Sequence, residues 1–472
     1  MAKHENTTSW TAMLIAIVLL GLGLRIVALD TKSVFADESA SFRFTHLNWS
    51  AFWHLLTDSE ANMALYYVFL RFWLRINDSV WFARLFSVLV GVATVPVLFF
   101  LGRRLFSREA AFFSSVLLAL NTFHILYSQS ARGYTLAVLL VTLSALCFVQ
   151  ALEEFNWRSA GGYIVTSTAA LYAHFFTAFV FLGQVLGLFF LKSQPKVVKR
   201  QVGLMLLVAL LAMPLVIFAT VHKTKPLFWL DHPSARDVHH LFMYFFGSGL
   251  KYALSLVALG FAAREWWRGS SSSTEQHQES NWPFIFVTLW LVLPIMLTLI
   301  ISHWKAVFSP RFLMVCLPSV ALLVGKGLSS VRQPFRRYAL AAVLFTSLIT
   351  ALPSYYRRPG LEDWRSVTNY LSDNVQPTDV ILVGPYYRDA FETAFRRSKR
   401  IWPTQKVMHA LVGRNLLQDV EHIWIVSCHP GNKGQDDIPP TPDNFLLHSD
   451  VKFVGIEVFR YDRESQSTSL RN

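Results

Sequence analysis

The sequence has few charged residues for its length. Of 472 residues, only 15% are Asp, Glu, Lys or Arg, whereas 53% are hydrophobic and the mean hydropathy is +0.38. This balance excludes an ordinary soluble protein. It is typical of a polytopic α-helical membrane protein that has some polar mass attached.

Cysteine is also scarce, and the three cysteines are poorly placed for a disulfide or a metal site. Cys147 and Cys316 fall within apolar runs, and Cys428 lies in the polar C-terminal part of the chain. No intradomain disulfide and no metal-ligand spacing is implied. The loop histidines lack metal-ligand spacing as well. The residues alone therefore predict no metal site and no obligatory cofactor.

Two further signals are missing from the sequence. The polar tail has no Gly-rich phosphate loop, and the first apolar run has no small-residue cleavage site, so we expect that run to be retained as a span. The formal net charge of +13 could suggest nucleic acid. However, much of the Lys and Arg lies in short loops between apolar runs, as the positive-inside bias produces. No nucleic-acid partner is expected.

About eleven apolar segments are long enough to cross a membrane. They cover approximately residues 10–29, 80–101, 109–127, 135–152, 160–191 (two spans), 201–220, 239–263, 282–302, 311–330 and 338–353. If the spans alternate, the basic loops at 103–108, 192–200, 264–268 and 332–337 fall on one side. We therefore predict a cytoplasmic N-terminus, a transmembrane domain of residues 1–353 and an extracytoplasmic domain of residues 354–472.

Two polar regions are expected to fold outside the spans. In the first outer loop, residues 30–79, stretches near 39–57 and 62–76 mix apolar and charged residues at helical spacing, which is typical of interfacial helices. In the tail, LEDWRSVTNYLSDNV and RDAFETAFRRS have helical patterns, and DVILVGP, HIWIVS and VKFVGIEVF have strand patterns. This alternation predicts a small α/β domain.

The outer ends of the spans carry a selective set of polar residues. The adjacent acids Asp37 and Glu38 follow the first span, where a carboxylate partly shielded from water makes a useful base. The other members are Ser128, Gln129, Arg132, Tyr134, His174, His222, Lys223, Lys225, Asp231, His232, His303, Lys305 and Arg311. Acids on one loop and cations on several others suit transfer of a group from a phosphate-linked donor.

The charges indicate what such a site must supply. When a sugar leaves a polyprenyl phosphate, the departing phosphate gains negative charge. Arginine suits the stabilisation of this charge because its guanidinium has a fixed fork of donors. A partly desolvated Asp37 suits the removal of a proton from the acceptor hydroxyl.

Each of these residues also has a purely structural explanation. The Asp37-Glu38 pair could belong to a solvated loop at the membrane surface. Arg132 and Arg311 could extend to the membrane interface at span ends. His174 could be a hydrogen-bonded packing residue. The residues alone leave these alternatives open.

Six strings resemble GT-C-type membrane glycosyltransferases, of the group containing protein O-mannosyltransferases and lipid A aminoarabinose transferases (glycosyltransferase family 39-like). They are ADESASFR, ANMALYYVFLRFW, WFARLFSVLVGVATVPVLFFLGRRLF, ILYSQSARGYTLAVLL, SPRFLMVCLPSVALLVGKGL and LEDWRSVTNYL, and they cover most of residues 30–380. The resemblance implies the GT-C fold in a bacterial inner membrane. It also implies inverting sugar transfer from a polyprenyl-phosphate carrier to a lipid, glycan or protein acceptor on the extracytoplasmic side.

The resemblance further implies roles for individual residues. Asp37 would be the catalytic base with Glu38 beside it, and Arg132 and Arg311 would contact the donor phosphate, to which we add Lys305. The expected substrate-binding residues are Asn62, Tyr66, Arg84, Gln129, Tyr134 and His174, although Tyr66 and its neighbour Tyr67 could instead be interfacial anchors.

Some features depart from the family pattern. The family often has proline where this chain has Met63-Ala64 and Gly133. Some related transferases use a divalent metal and others do not, so a divalent metal stays possible. The alternative function is a polytopic transporter or lipid-linked sugar flippase, which usually has repeat symmetry and ionisable sites at mid-membrane depth. A noncatalytic assembly subunit is a further alternative.

Overall fold

A computed structural model describes residues 2–191, 195–221, 230–270, 281–384, 387–398, 407–409, 420–428 and 444–464. The chain divides into two compact units. Unit 1 comprises Met1–Leu29, Leu47–Pro226 and His232–Tyr355. Unit 2 comprises Asp30–His46, Leu227–Asp231 and Tyr356–Asn472. The beginning of the first outer loop therefore clusters with the C-terminal part of the chain.

Helices dominate the described residues. Before residue 271 they are α1 (Ala2–Ile26), α2 (Ala36–His46), α3 (Trp49–Asp58), α4 (Ala64–Trp73), α5 (Val80–Leu105), α6 (Arg108–Leu120), α7 (Thr122–Ser128), α8 (Tyr134–Glu153), α9 (Trp157–Ala173), α10 (Thr177–Phe189), α11 (Pro195–Leu211), α12 (Met213–Val221), α13 (Ala235–Phe246) and α14 (Leu250–Ser270). After residue 280 they are α15 (Trp282–Ser302), a 3₁₀ helix (Phe312–Cys316), α16 (Leu317–Ser329), α17 (Pro334–Ile349), α18 (Leu352–Arg357), α19 (Trp364–Asn374) and α20 (Arg388–Ser398). The strands are β1 (Val380–Val383), β2 (Val407–His409), β3 (His422–Cys428), β4 (Phe445–Phe453) and β5 (Ile456–Arg463).

Several helices of unit 1 are long and apolar enough to cross a membrane. These segments are Ser9–Ile26, Val80–Leu105, Tyr134–Glu153, Trp282–Ser302, Phe312–Ser329 and Pro334–Arg357, the last of which runs into unit 2. Two further pairs of helices, α6 with α7 and α13 with α14, are long and apolar enough only when the two helices of each pair are taken together. The described residues thus contain six candidate spans, or eight if each bent pair counts as one. The polytopic helical class is confirmed, and the number eleven stays a prediction.

The two bent pairs have identifiable causes. The 58° bend between α6 and α7 lies at Asn121, whose Oδ1 accepts a hydrogen bond from the N–H of His124 at 2.9 Å and so starts a new helix. The 82° bend between α13 and α14 lies at Gly247 and Gly249, with φ of +80° and +62°. Glycine adopts this left-handed backbone at little cost. The span predicted over 239–263 therefore corresponds to a bent pair of helices, because two glycines interrupt its apolar run.

The first outer loop contains more helices than the pattern predicted. The stretch near 39–57 was predicted as one interfacial helix, but it contains the end of α2 and most of α3. The side chain of Asn48 separates them, because its Oδ1 accepts from the N–H of Ala51 at 2.8 Å and caps α3. The second predicted stretch corresponds to α4.

A close backbone approach within unit 1 yields a stability prediction. A Cβ at Gly327 in α16 would overlap the carbonyl oxygen of Ala258 in α14, whereas a Cβ at Gly161 in α9 would meet nothing within 4 Å. We expect Gly327→Ala to lose about 1–3 kcal/mol of stability through overpacking. Gly161→Ala should be neutral or stabilising, because alanine favours a helix interior. Thermal unfolding of both variants checks this, and equal unfolding midpoints would contradict it.

Unit 2 contains a five-stranded sheet of order β2-β1-β3-β5-β4. Strand β1 pairs in parallel with β2 and β3, whereas β5 pairs antiparallel with β3 and β4. All four residues of β1 are buried, as expected of a central parallel strand. On one side of the sheet, Trp364, Val367 and Leu371 of α19 pack into a core with Ile381 of β1.

The sheet differs from the predicted strands in two respects. VKFVGIEVF was predicted as a single strand, and this was wrong: β4 ends at Phe453 and β5 begins at Ile456. Gly455 between them has a φ of +72°, which allows the chain to reverse. Strand β2 was not predicted. The other predicted tail segments correspond to α19, β1, α20 and β3.

Candidate active site

His174 lies in the turn between α9 and α10, and its side chain is only 1% exposed. Its Nδ1 accepts a hydrogen bond from the N–H of Phe176 at 3.2 Å, which places the proton of the neutral ring on Nε2. Nε2 is buried without a hydrogen-bond partner among the described residues. Burial, and then the charges of Arg132 and Arg311, lower the pKa of His174 to about 3. The imidazole therefore presents an uncharged N–H donor at neutral pH.

The two arginines that act on His174 come from separate parts of unit 1. Arg132 follows α7, and its guanidinium carbon lies 5.8 Å from the centre of the Tyr134 ring. Arg311 precedes the 3₁₀ helix, and its guanidinium carbon lies 5.6 Å from the centre of the Phe312 ring. Both arginines are partly buried. We call Arg132, His174 and Arg311 the arginine–histidine cluster.

Aromatic side chains hold this cluster together. The His174 ring centre lies 5.7 Å from that of Tyr134 and 5.4 Å from that of Phe312. The Nη1 of Arg132 donates a hydrogen bond to the Tyr67 hydroxyl at 3.1 Å. Tyr67 and Tyr134 are both buried. The role of an exposed interfacial anchor therefore does not describe Tyr67. The side chains of Tyr67, Tyr134 and Phe312 thus contact the cluster.

Three other residues support the backbone around the cluster: Tyr66, Gly133 and Asn62. Tyr66 is fully buried, and its hydroxyl lies 2.9 Å from the Ser87 Oγ. Gly133 faces this tyrosine, because a Cβ there would lie 3.0 Å from the Tyr66 Cβ. Asn62 Oδ1 accepts from the N–H of Phe175 at 3.0 Å. Asn62 thus fixes the turn that holds His174.

Gln129 and Arg84 hold the end of α1. The Gln129 Nε2 donates to two carbonyl oxygens there at 3.1 and 2.7 Å, and its Oε1 accepts from the Tyr355 hydroxyl at 2.8 Å. The Nη1 of Arg84 donates to the carbonyl oxygen of Leu29 at 2.8 Å. Both side chains are buried. They position the backbone at the start of the first outer loop.

The acid pair lies in unit 2, in the first turn of α2. Glu38 is fully buried, and Asp37 is partly buried. Carboxylates are favourable in this turn because the free N–H groups of a helix N-terminus carry partial positive charge. Partial burial fits the shielded carboxylate that the sequence predicts at position 37.

The remaining outer-face residues are more dispersed. Lys305 and His303 are exposed after α15. His232 has its Nδ1 at 2.6 Å from the carbonyl oxygen of Ser302. The predicted residues His222, Lys223 and Lys225 lie outside the described residues.

Candidate metal ligands are not grouped in the part of the chain that the structure describes. There, no cluster of three or more His, Cys, Asp or Glu side chains is suited to hold an ion. The charges of Arg132 and Arg311 suit an anionic ligand at the arginine–histidine cluster.

Part of the chain matches a protein family model, and most of it matches solved structures. Residues 62–219 match the family model of dolichyl-phosphate-mannose-protein mannosyltransferases, and this segment contains Arg132 and His174. The whole chain is similar in structure to ArnT from Cupriavidus metallidurans in the apo state, with a TM-score of 0.55, 12% identity, and coverage of 96% of this chain and 98% of ArnT. The chain has a GT-C-type fold.

Other solved GT-C-type structures resemble this GT-C-type chain to a similar degree. ArnT from the same organism bound to undecaprenyl phosphate has a TM-score of 0.53 and 12% identity, with coverage of 96% of this chain and 98% of ArnT. The archaeal oligosaccharyltransferase AglB from Archaeoglobus fulgidus, in complex with an inhibitory peptide and a dolichol-phosphate, has a TM-score of 0.55 and 12% identity, with coverage of 99% and 75%. No curated protein sequence matches the chain. The resemblance to GT-C-type membrane glycosyltransferases is thereby confirmed.

Arg25, at the end of α1 of this GT-C-type protein, is a buried charge that was not predicted from the sequence. Its five N–H donors reach the Ser128 Oγ (3.1 Å), the carbonyl oxygens of Gly21 (3.0 Å), Ala119 (3.1 Å) and Leu118 (3.3 Å), and the His124 Nδ1 (2.8 Å). Arg25 therefore ties α1 to α6 and α7. The signal was available, because a lone arginine within an apolar run is costly unless it is satisfied internally.

The lowered pKa of His174 predicts a pH dependence of stability. An ordinary histidine has a pKa near 6.5, so between about pH 6.5 and 3 the unfolded chain binds a proton that the folded chain does not. This contribution is fully present above pH 6.5 and is lost as the pH falls. We expect the wild type to lose about 2 kcal/mol more than His174→Gln between about pH 7.5 and about pH 5.

Thermal unfolding at the two pH values measures this difference. His303→Gln, at an exposed histidine, is the control and should keep the wild-type pH dependence. Equal pH dependences in the wild type and His174→Gln would contradict the buried neutral imidazole.

Proposed function

We propose that this chain transfers a sugar from a polyprenyl-phosphate carrier to a lipid, glycan or protein acceptor, with inversion at the sugar carbon. The observation that carries the proposal is the arginine–histidine cluster, in which two guanidinium charges act on one buried neutral imidazole. The GT-C-type structures with undecaprenyl phosphate and dolichol-phosphate support a lipid phosphate as the ligand. The site would face the extracytoplasmic side of a bacterial inner membrane, and the N-terminus would be cytoplasmic.

Arg132 and Arg311 would bind the donor phosphate. Partial burial lowers the local dielectric, so each guanidinium attracts an anion more strongly than it would in water. The attraction grows as the sugar leaves, because the phosphate then gains negative charge. Lys305, which is exposed, would add a longer-range attraction.

His174 would add a hydrogen bond without adding charge. Its Nε2–H is buried, and no described residue accepts from it. A phosphate or sugar oxygen at this position would satisfy the donor, whose desolvation is otherwise costly. Tyr134 packs beside both His174 and Arg132 and would form the adjacent wall of the site.

Asp37 would act as the general base. The acceptor hydroxyl gives its proton to the Asp37 carboxylate, and its oxygen forms a bond to the sugar carbon from the face opposite the phosphate. The bond between that carbon and the phosphate oxygen breaks, and its electron pair leaves with the polyprenyl phosphate. No general acid is required, because phosphate is already a good leaving group. Glu38 would orient Asp37 or a substrate hydroxyl.

The other predicted substrate-binding residues would act by positioning. Asn62 bonds the backbone beside His174, and Tyr66 packs against Gly133 beside Arg132. Arg84 and Gln129 bond the backbone at the end of α1. We assign these four residues to the support of the site.

The transmembrane domain would be residues 1–353, with residues 354–472 extracytoplasmic.

Incubation with a panel of donors tests this function. The purified full chain is given polyprenyl-phosphate sugars and, separately, nucleotide sugars, with membrane extracts as the acceptor source. We expect consumption of one or more lipid-linked sugars and none of the nucleotide sugars. Consumption of a nucleotide sugar alone would contradict the proposal.

A further inference from the structure

The helix that bears Asp37 begins against a carboxylate from the C-terminal part of the chain. The backbone N–H of Ala36, the first residue of α2, donates a hydrogen bond to the Oε2 of Glu362 at 2.9 Å, across 326 residues of sequence. The same oxygen accepts from the Nε1 of Trp364 at 2.7 Å. The first N–H groups of a helix have no partner within the helix. Glu362 supplies a hydrogen-bond acceptor for the N–H group of Ala36.

The contact is reciprocal. Ser33, just before α2, accepts a hydrogen bond on its Oγ from the N–H of Arg365 in the first turn of α19 at 3.1 Å. Glu362, just before α19, accepts from the first turn of α2. Each segment therefore supplies a cap to the other helix, and all of these residues belong to unit 2. A mutual cap fixes the two helix starts relative to each other.

The contact between the two helix starts is buried. Glu362 is 4% exposed, and Ala36 and Trp364 lie in one apolar core cluster. A buried carboxylate needs hydrogen-bond donors, and here an amide and an indole N–H provide them. Its charge also complements the partial positive charge at the N-terminus of α2.

We propose that Glu362 is a positioning residue for Asp37. By accepting the N–H of Ala36, it fixes the first turn of α2 and so the direction of the adjacent carboxylate. This inference rests on the proposed role of Asp37 as the base. The C-terminal part of the chain, which contains Glu362, would thus hold α2, the helix that carries the base, in place.

Kinetics of the full chain with a consumed donor tests the inference. We expect Glu362→Ala to lower kcat about 10-fold to 100-fold, while the donor KM changes less than about threefold, because the positioned group acts in the chemical step and not in donor binding. Glu362→Gln should keep at least about a third of the wild-type kcat, because its amide oxygen can accept both hydrogen bonds. Glu457→Ala, which removes a carboxylate paired with Lys452, is the control and should behave as wild type.

Some kinetic outcomes would overturn the inference. One is a wild-type kcat in Glu362→Ala when Asp37→Asn is inactive. Another is an equal loss in Glu362→Gln and Glu362→Ala, because the hydrogen bond would then not be the cause. By contrast, full activity in Asp37→Asn would remove the base itself, which is a failure of the proposed function.

Amide hydrogen exchange provides a readout that needs no substrate. We expect the peptide covering residues 33–42 to exchange about tenfold faster in Glu362→Ala, the effect of losing a cap of about 1.4 kcal/mol. In Glu362→Gln the rate should stay within about threefold of the wild type. Unchanged exchange in Glu362→Ala would overturn the positioning role even if no donor were consumed.

Discussion

Asp37→Asn is expected to abolish sugar transfer, with a loss of about 10²-fold to 10⁴-fold in kcat, the usual contribution of a general base. Asparagine has nearly the same shape but cannot take the proton of an acceptor hydroxyl. The residue lies in the first turn of α2 and is only partly buried, so the substitution changes little of the packed volume. The variant should therefore remain folded and inserted. Initial rates of donor consumption measure the effect.

The matched control is Asp450→Asn, which neutralises an exposed carboxylate on β4 of the same unit. Its rate should equal that of the wild type. Donor binding should survive in Asp37→Asn, because the donor phosphate is assigned to other residues. Full activity in Asp37→Asn, at a wild-type unfolding temperature, would remove Asp37 from the mechanism.

Arg132→Gln and Arg311→Gln are each expected to lower kcat/KM about 100-fold, comparable to the removal of one donor from a preorganised anion site. Both guanidinium groups lie close enough to His174 for their charges to lower its pKa. Arg132→Lys and Arg311→Lys should be little more active than the glutamine variants, since lysine lacks the planar fork of donors. Because both arginines would act on one phosphate, the double variant should lose less than the product of the single losses.

Arg103→Gln is the control for the arginine variants. Arg103 is an exposed residue in the last turn of α5 and stacks on Phe100. It should have wild-type kcat/KM. Tyr67→Phe, which removes the hydroxyl that accepts from Arg132, should have an intermediate effect through positioning. Wild-type kcat/KM in both Arg132→Gln and Arg311→Gln would contradict a phosphate site at the cluster.

The members of the arginine–histidine cluster could be named from the sequence because charged and polar groups are rare in hydrocarbon-compatible segments. Arg132, His174 and Arg311 each lie at the end of an apolar run. Their proximity could not be read from the sequence, since it depends on how three separate turns pack. Neither could the neutral state of His174, which requires its burial and its bond with Phe176.

Other features escaped sequence analysis for different physical reasons. Arg25 is satisfied by carbonyl oxygens that only the packing of α1 on α6 brings within reach. Glu362 bonds to Ala36 across 326 residues, a contact that no local pattern encodes. The break at Gly247 was masked by the apolar residues on either side. Long apolar helices and their order were readable because they depend mainly on local composition.

The fate of the donor phosphodiester distinguishes a sugar transferase from a flippase. Proteoliposomes containing the purified chain, a polyprenyl-phosphate sugar that it consumes and an acceptor extract are followed by phosphorus NMR. We expect the phosphodiester signal to be converted to a phosphomonoester signal, in step with sugar gained by the acceptor. Movement of the lipid-linked sugar across the bilayer with its phosphodiester intact, and no glycosylated acceptor, would contradict this expectation.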